Sequence, residues 1–252
     1  MTPLLLAALV LTVQQPDSSV YKVSGRIDAP VTLGASLTVL AAYIYGDRWI
    51  HPRCPCDPSG VNRFDRPAIG NTSAVARHLS DGTAAVAIIA PFLVDALDVG
   101  AGKAFNEDAV VFVETLAINS ALVTAAKYSV QRPLPRTYAG DPTLINRPEG
   151  YRSFYSGHTS TTFAALSALS MTLRLRHGEK TWPWIVTGVV GTSVAIERVA
   201  DGRHFPSDVI VGAVMGTATG IAVPLLHSRR RSGRLSAMPQ GGGMAIGWSI
   251  KF

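Results

Sequence analysis

"WPWIVTGVVGTSVAIERVADGRHFPSDVIVGAVMGTATGIAVPLL", Trp182 to Leu226, sets two long apolar stretches around one polar loop. The stretches, Trp182–Ile196 and Val209–Leu226, are rich in Ala, Gly, Ser and Thr. They lack the two-residue alternation of a half-buried strand, so both are predicted to be helices. Small residues at this density let helices pack closely, in lipid or in water. The loop between them, Glu197–Asp208, carries Arg198, then His204 six residues on, then Asp208 four beyond. Alone, such a loop is equally a solvated turn. A second loop of matching chemistry on the same face gives it meaning.

Working outward, four more segments share the same character: Val31–Tyr45, Ala84–Val99, Ala109–Ala126 and Ser160–Leu175. The expected fold is therefore all-α, a bundle of about six apolar helices. No linker or repeat interrupts the interior, which implies one domain. Hydrophobic residues make up 47% of the 252-residue chain and charged residues only 16%, against about 25% charged in soluble domains. That deficit points to a membrane-associated or deeply buried helical protein. The segments are 15 to 18 residues long, close to the lower limit of about 17 for a span, so several are marginal. Asp95, Glu114 and Asn119 fall inside them and are expected to face the interior. Glu114 and Asn119 read as buried, hydrogen-bonded packing residues.

Charge placement orients the bundle. The net charge is +6, which suits an anionic partner. The basic residues form no aromatic-interleaved stripe, so nucleic acid is not expected. "RLRHGEK" follows the fourth segment and "HSRRRSGR" the sixth. If all six segments span, both lie on one face, and positive loops favour the cytoplasm. The Glu197–Asp208 loop then lies on the opposite, periplasm-like face. The start, residues 1–19, has an apolar core from Leu4 to Val13, which fits either a secretory signal or an ordinary N-terminal helix. A cleaved signal would leave residue 30 outside, whereas the six-span count starts the first segment inside. Residues 20–230 read as the helical domain and 231–252 as a basic, Gly-rich tail, whose "GGGMAIGWSIKF" fits one strand or an unstructured end. Cys54 and Cys56 lack the further ligands zinc needs. They fit a local disulfide in an oxidising compartment, or two thiols.

The matching chemistry lies in "KYSVQRPLPRTY", Lys127 to Tyr138, and in "SFYSGHTSTT", Ser153 to Thr162. A helix opening at Ser156-Gly157-His158 offers backbone N–H groups to an oxyanion, and glycine allows close approach. Lys127, Arg132 and Arg198 add cationic donors. His158 and His204 give two imidazoles beside one anion, one to attack and one to protonate a leaving group. Asp208, one turn from His204, is placed to accept its ring proton and fix the tautomer. His51, His78, His177 and His227 show no partners in the sequence. The arginine run 229–231 reads as a cytoplasmic anchor or a solvated tail.

Three ordered motifs make the chain resemble the type-2 phosphatidic acid phosphatase superfamily, which also includes bacterial non-specific acid phosphatases and vanadium haloperoxidases. Its motifs are K-x6-R-P, P-S-G-H and S-R-x5-H-x3-D. Here the third reads Glu197-Arg198, five residues, His204, three residues, Asp208; the second reads Tyr155-Ser156-Gly157-His158. The first starts at Lys127, but Leu134 stands at the expected Arg, and an Arg-Pro occurs two residues early at Arg132-Pro133. The resemblance implies a metal-independent phosphatase without cofactor. In it His204 forms a phosphohistidine, Asp208 orients it, and His158 serves as acid and then base. Lys127, Arg198 and the Ser156–Gly157 backbone hold the phosphoryl oxygens, with Arg132 or Arg136 replacing the ligand missing at Leu134. The implied substrate is a phosphorylated lipid or a small phosphoester, at the bacterial inner membrane with the site facing the periplasm, or in the periplasm itself. The rival readings are a soluble periplasmic acid phosphatase, a haloperoxidase, and a degenerate, non-catalytic membrane protein.

Overall fold

The computed structural model describes residues 19–229 and the backbone of two short strands beyond them. The apolar stretch Leu4–Val13 lies outside the described residues. Six long helices form the bundle: α1 Asp28–Tyr45, α2 Ala74–Val99, α3 Lys103–Val130, α5 Gly157–His177, α6 Trp182–Ala200 and α7 Pro206–His227. A single helical turn, α4 Pro135–Tyr138, sits in the loop between α3 and α5. Strands β1 Arg234–Gln240 and β2 Gly243–Ser249 pair antiparallel, so the tail forms a hairpin added to an otherwise all-α fold.

All six predicted segments are helices, but several run longer than their apolar cores. α2 is 26 residues and α3 is 28. The reason is polar extension at the ends. Ser73 caps α2 by accepting the Ala76 N–H, so the helix starts ten residues before its apolar stretch. By length and composition, α1, α2, α3 and α7 can cross a membrane. Their outward faces are apolar, with Leu37, Val86, Ile89, Leu93, Leu97 and Val214 all exposed. Such a continuous apolar surface is that of a membrane protein.

α5 is the axis of the bundle. Most of its residues between Thr159 and Leu175 are buried. α7 lies against it along a stripe of glycines, and a Cβ added at Gly216 would meet the Ser160 carbonyl oxygen at 2.1 Å. Asp95, Glu114 and Asn119 face inward as expected. Asn119 is satisfied by Ser160 and Thr161.

Up-and-down connectivity sorts the ends. α2, α5 and α7 start, and α3 and α6 finish, on one face. The opposite end is closed by residues 19–27. There Tyr21 is fully buried among Val111, Met171, Leu175 and Val223, and its hydroxyl bonds Thr172 at 2.8 Å. Arg176 also lies at this end, where it is buried against Asp95, Asp98 and Asp108. Its charge is neutralised inside the fold, whereas the sequence suggested a free basic loop.

Candidate active site

The site is made where the two loops meet. The chain after α6 turns at Gly202, with φ +69°; a Cβ there would meet the Asn71 carbonyl oxygen at 2.0 Å, so this close backbone contact requires glycine. Phe205 is fully buried with Val61 and Ala68. That small core fixes the 57–73 loop against the α6–α7 loop and places His204 just before α7.

His204 is buried. Its Nδ1 lies 2.7 Å from the Ser153 carbonyl oxygen. A carbonyl only accepts, so Nδ1 carries the proton and Nε2 carries the lone pair. Burial, and then the Lys127 and Arg198 charges, hold this imidazole well below the usual histidine range. His204 is therefore neutral near pH 7, with a lone pair on Nε2 and the Lys127 and Arg198 charges nearby.

The expected ring contact to Asp208 is corrected. Asp208 Oδ2 is 4.0 Å from His204 Nδ1, beyond hydrogen-bond reach. Instead, Oδ2 accepts the Ser153 hydroxyl at 2.5 Å and the Phe205 N–H at 3.0 Å. Asp208 thus acts on His204 through Ser153. No sequence signal marks Ser153, because its contact with the ring uses a backbone oxygen that every residue has.

Arg132 is also corrected. Its Nη1 donates to Asp208 Oδ1 at 2.5 Å and to Ser207 Oγ at 2.8 Å; its Nη2 donates to Asp65 Oδ2 at 2.8 Å. Its guanidinium stacks on the Phe205 ring at 4.1 Å. Two buried carboxylates satisfy this side chain, so in this arrangement it ties the loop to α7. Arg136 is paired with Asp141 at 2.6 Å. Leu134 is buried. The cations left beside His204 are Lys127 and Arg198.

Lys127 donates to the Arg152 carbonyl at 2.6 Å and its Cε lies near Gly157, 3.9 Å from where a Cβ would stand. Ser156 caps α5, its Oγ accepting the Thr159 N–H. The first N–H groups of that helix have no intrahelical partner and point out of its start. Arg198 is buried and reaches Ser80 at 3.1 Å and Asp81 at 3.3 Å. His158 Nε2 meets the same Asp81 Oδ1 at 2.9 Å. Asp81, absent from the sequence-based site, thus bridges His158 and Arg198. It lies on the polar extension of α2.

Asp65 is a second residue the sequence did not single out. Fully buried, it accepts from the Ser207 N–H, the Ser207 hydroxyl, Asn62 and Arg132. Cys54 and Cys56 form a disulfide in the same loop region, and the Cys54 N–H donates to the Tyr151 hydroxyl.

Comparison with known proteins gives the same assignment. The profile of the PAP2 superfamily matches residues 108–232. The lipid A 1-phosphatase of Porphyromonas gingivalis is 35% identical over 109 residues, 42% of this chain and 20% of that protein. Phospholipid phosphatase 1 of Rattus norvegicus is 29% identical over 141 residues, 45% of this chain and 50% of that protein. The chain therefore spans half or less of the length of these curated relatives. A crystal structure of a transmembrane PAP2-type phosphatidylglycerolphosphate phosphatase from Bacillus subtilis is 16% identical, covering 79% of this chain and 94% of that one with a TM-score of 0.46. The matched stretch holds Lys127, Ser156–His158 and Arg198–Asp208 in one buried, cation-lined site, and the chain belongs to the PAP2 superfamily.

Proposed function

We propose that this chain hydrolyses a lipid-linked phosphomonoester or diphosphate through a phosphohistidine on His204. The observation that carries the proposal is the His204–Ser153 contact, which leaves Nε2 unprotonated in a buried ring that the nearby Lys127 and Arg198 charges help to keep neutral. Nε2 attacks phosphorus, and the bond from phosphorus to the leaving oxygen breaks. Lys127, Arg198 and the N–H groups at the start of α5 neutralise the charge that builds on the phosphoryl oxygens. His158 gives its proton to the leaving oxygen. It then takes a proton from water as that water attacks phosphorus, and the P–N bond breaks to restore His204. Burial and the Arg198 charge lower the pKa of His158, and Asp81, accepting from it, partly offsets them. These cations and imidazoles account for each proton and charge without calling on a metal.

An apolar groove supports a lipid substrate over a soluble one. It measures about 520 Å³ and runs between α6 and α7, lined by Phe163, Ile196, Val199, Val209 and Ile210. Val199 and Pro206, which flank the loop that carries His204, are among its lining residues, so an acyl chain there would lie beside that loop. Arg174 and Arg229 lie at the opposite end, which by the positive-loop rule supports a site on the periplasmic side of an inner membrane.

The test is phosphate release by the purified chain in detergent micelles, from a long-chain lipid phosphate and from p-nitrophenyl phosphate. The lipid should be preferred by at least about tenfold in kcat/KM, and His204→Ala should abolish both activities. Equal rates on the two substrates would favour a soluble-type acid phosphatase. No release from either by a folded chain would favour the non-catalytic reading.

A further inference from the structure

His227, at the end of α7, is not the partnerless residue its sequence suggested. Its Nδ1 lies 2.8 Å from the Val223 carbonyl oxygen, so Nδ1 carries the proton and Nε2 the lone pair. That nitrogen stands 3.4 Å from Asp28 Oδ1 and 3.6 Å from Glu114 Oε2. All three residues are buried, and their ligand atoms lie within 4.8 Å of one another. Asp28 Oδ2 is held by the Ser24 N–H at 2.6 Å. Glu114 Oε2 has no hydrogen-bond partner although the residue is only 5% exposed.

Three lone-pair atoms therefore face one another in the interior. Among the described residues, no Lys or Arg pairs with Asp28 or Glu114. The contrast is with Asp95 and Asp108 at the same end of the bundle, where Arg176 supplies the positive charge. Two buried carboxylates without a cation are costly. A tetrahedral metal with bonds of about 2.0–2.1 Å spaces its ligand atoms about 3.3 Å apart, close to the two separations seen. The Val223 carbonyl and the Ser24 N–H hold the outer atoms of two ligands, as supporting groups do around metal sites.

We infer that Asp28, Glu114 and His227 bind a divalent transition-metal cation of the zinc class, which ties α1, α3 and α7 together. The imidazole nitrogen favours such a cation over magnesium or calcium. The site is at the far end of α7 from His204, about 30 Å along a helix of this length, so its role is structural and separate from turnover.

The test uses the full-length chain in detergent, with any affinity tag removed, stripped with EDTA and reloaded with ZnCl2 or CoCl2. The wild type should retain about one metal per chain by mass spectrometry and show the visible absorption of tetrahedral Co²⁺. Zinc at saturating concentration should raise its melting temperature by about 5–10 °C. Glu114→Gln and His227→Gln should lose both signals, while His204→Ala should keep them. Turnover per folded wild-type chain should survive stripping, which separates this site from the proposed chemistry. Failure of the wild type to bind zinc or cobalt would overturn the inference in favour of a shared proton. Equal metal content in all variants would also overturn it.

Discussion

At the scale of single residues, the site depends on which partner each charge already has. Arg132 illustrates this. Spacing alone makes it a candidate phosphate ligand, yet Asp65 and Asp208 both hold it. Arg132→Ala would strand two buried carboxylates, a loss of roughly 3–5 kcal/mol. Thermal unfolding in detergent should show a fall of about 10 °C. A phosphate ligand would instead raise KM at unchanged melting temperature, and that result would restore the sequence-based role. His204 gives a prediction with a definite sign. The attack proposed for it requires the neutral ring, and its folded-state pKa is depressed. Activity should therefore hold as pH falls through the ordinary histidine value of about 6.5, and drop only below it. The acid limb of kcat/KM in the free enzyme measures this; a limb at or above that value would contradict the buried, cation-flanked setting.

At the scale of elements, catalytic geometry depends on how closely α5 and α7 approach. The start of α5 carries Ser156–His158, and the start of α7 follows His204 and carries Asp208. Gly216→Val would force these helices apart, because a Cβ meets the Ser160 carbonyl carbon at 2.9 Å as well as its oxygen. Overpacking of this kind costs about 1–3 kcal/mol or more. Both melting temperature and turnover should fall. Gly188→Val on α6, where nothing lies within 4 Å of the added carbon, should leave both near wild type. The six elements were legible because their apolar runs are long and lack strand alternation. Asp81 was not, because it lies on the polar first turns of α2, ahead of the apolar run that begins at Ala84. Asp65 escaped notice for a related reason: it lies in an irregular loop, and its partners Arg132 and Ser207 are 67 and 142 residues away.

At the scale of the whole molecule, the sequence correctly sent Lys127, His158, Arg198 and His204 to one face, since helix count alone fixes which ends meet. It did not reveal how the buried charges pair. Arg176 with its three aspartates and His227 with its two carboxylates each join residues from three helices, and no local pattern encodes such a meeting. The central position of α5 has a further consequence for assembly. This helix carries Thr159, Ser160, Thr161, Thr162, Ser167, Ser170 and Thr172 along with Arg174 and Arg176, and its neighbours shield it from lipid in the finished bundle. A newly made α5 has no such shield. Insertion machinery that judges each segment by its transfer free energy would find little reason to release it sideways into the bilayer. On this argument α5 enters the bilayer only once α6 and α7 emerge to accompany it. The polar residues that pack the centre of this bundle thus also bear on the order in which its helices enter the membrane.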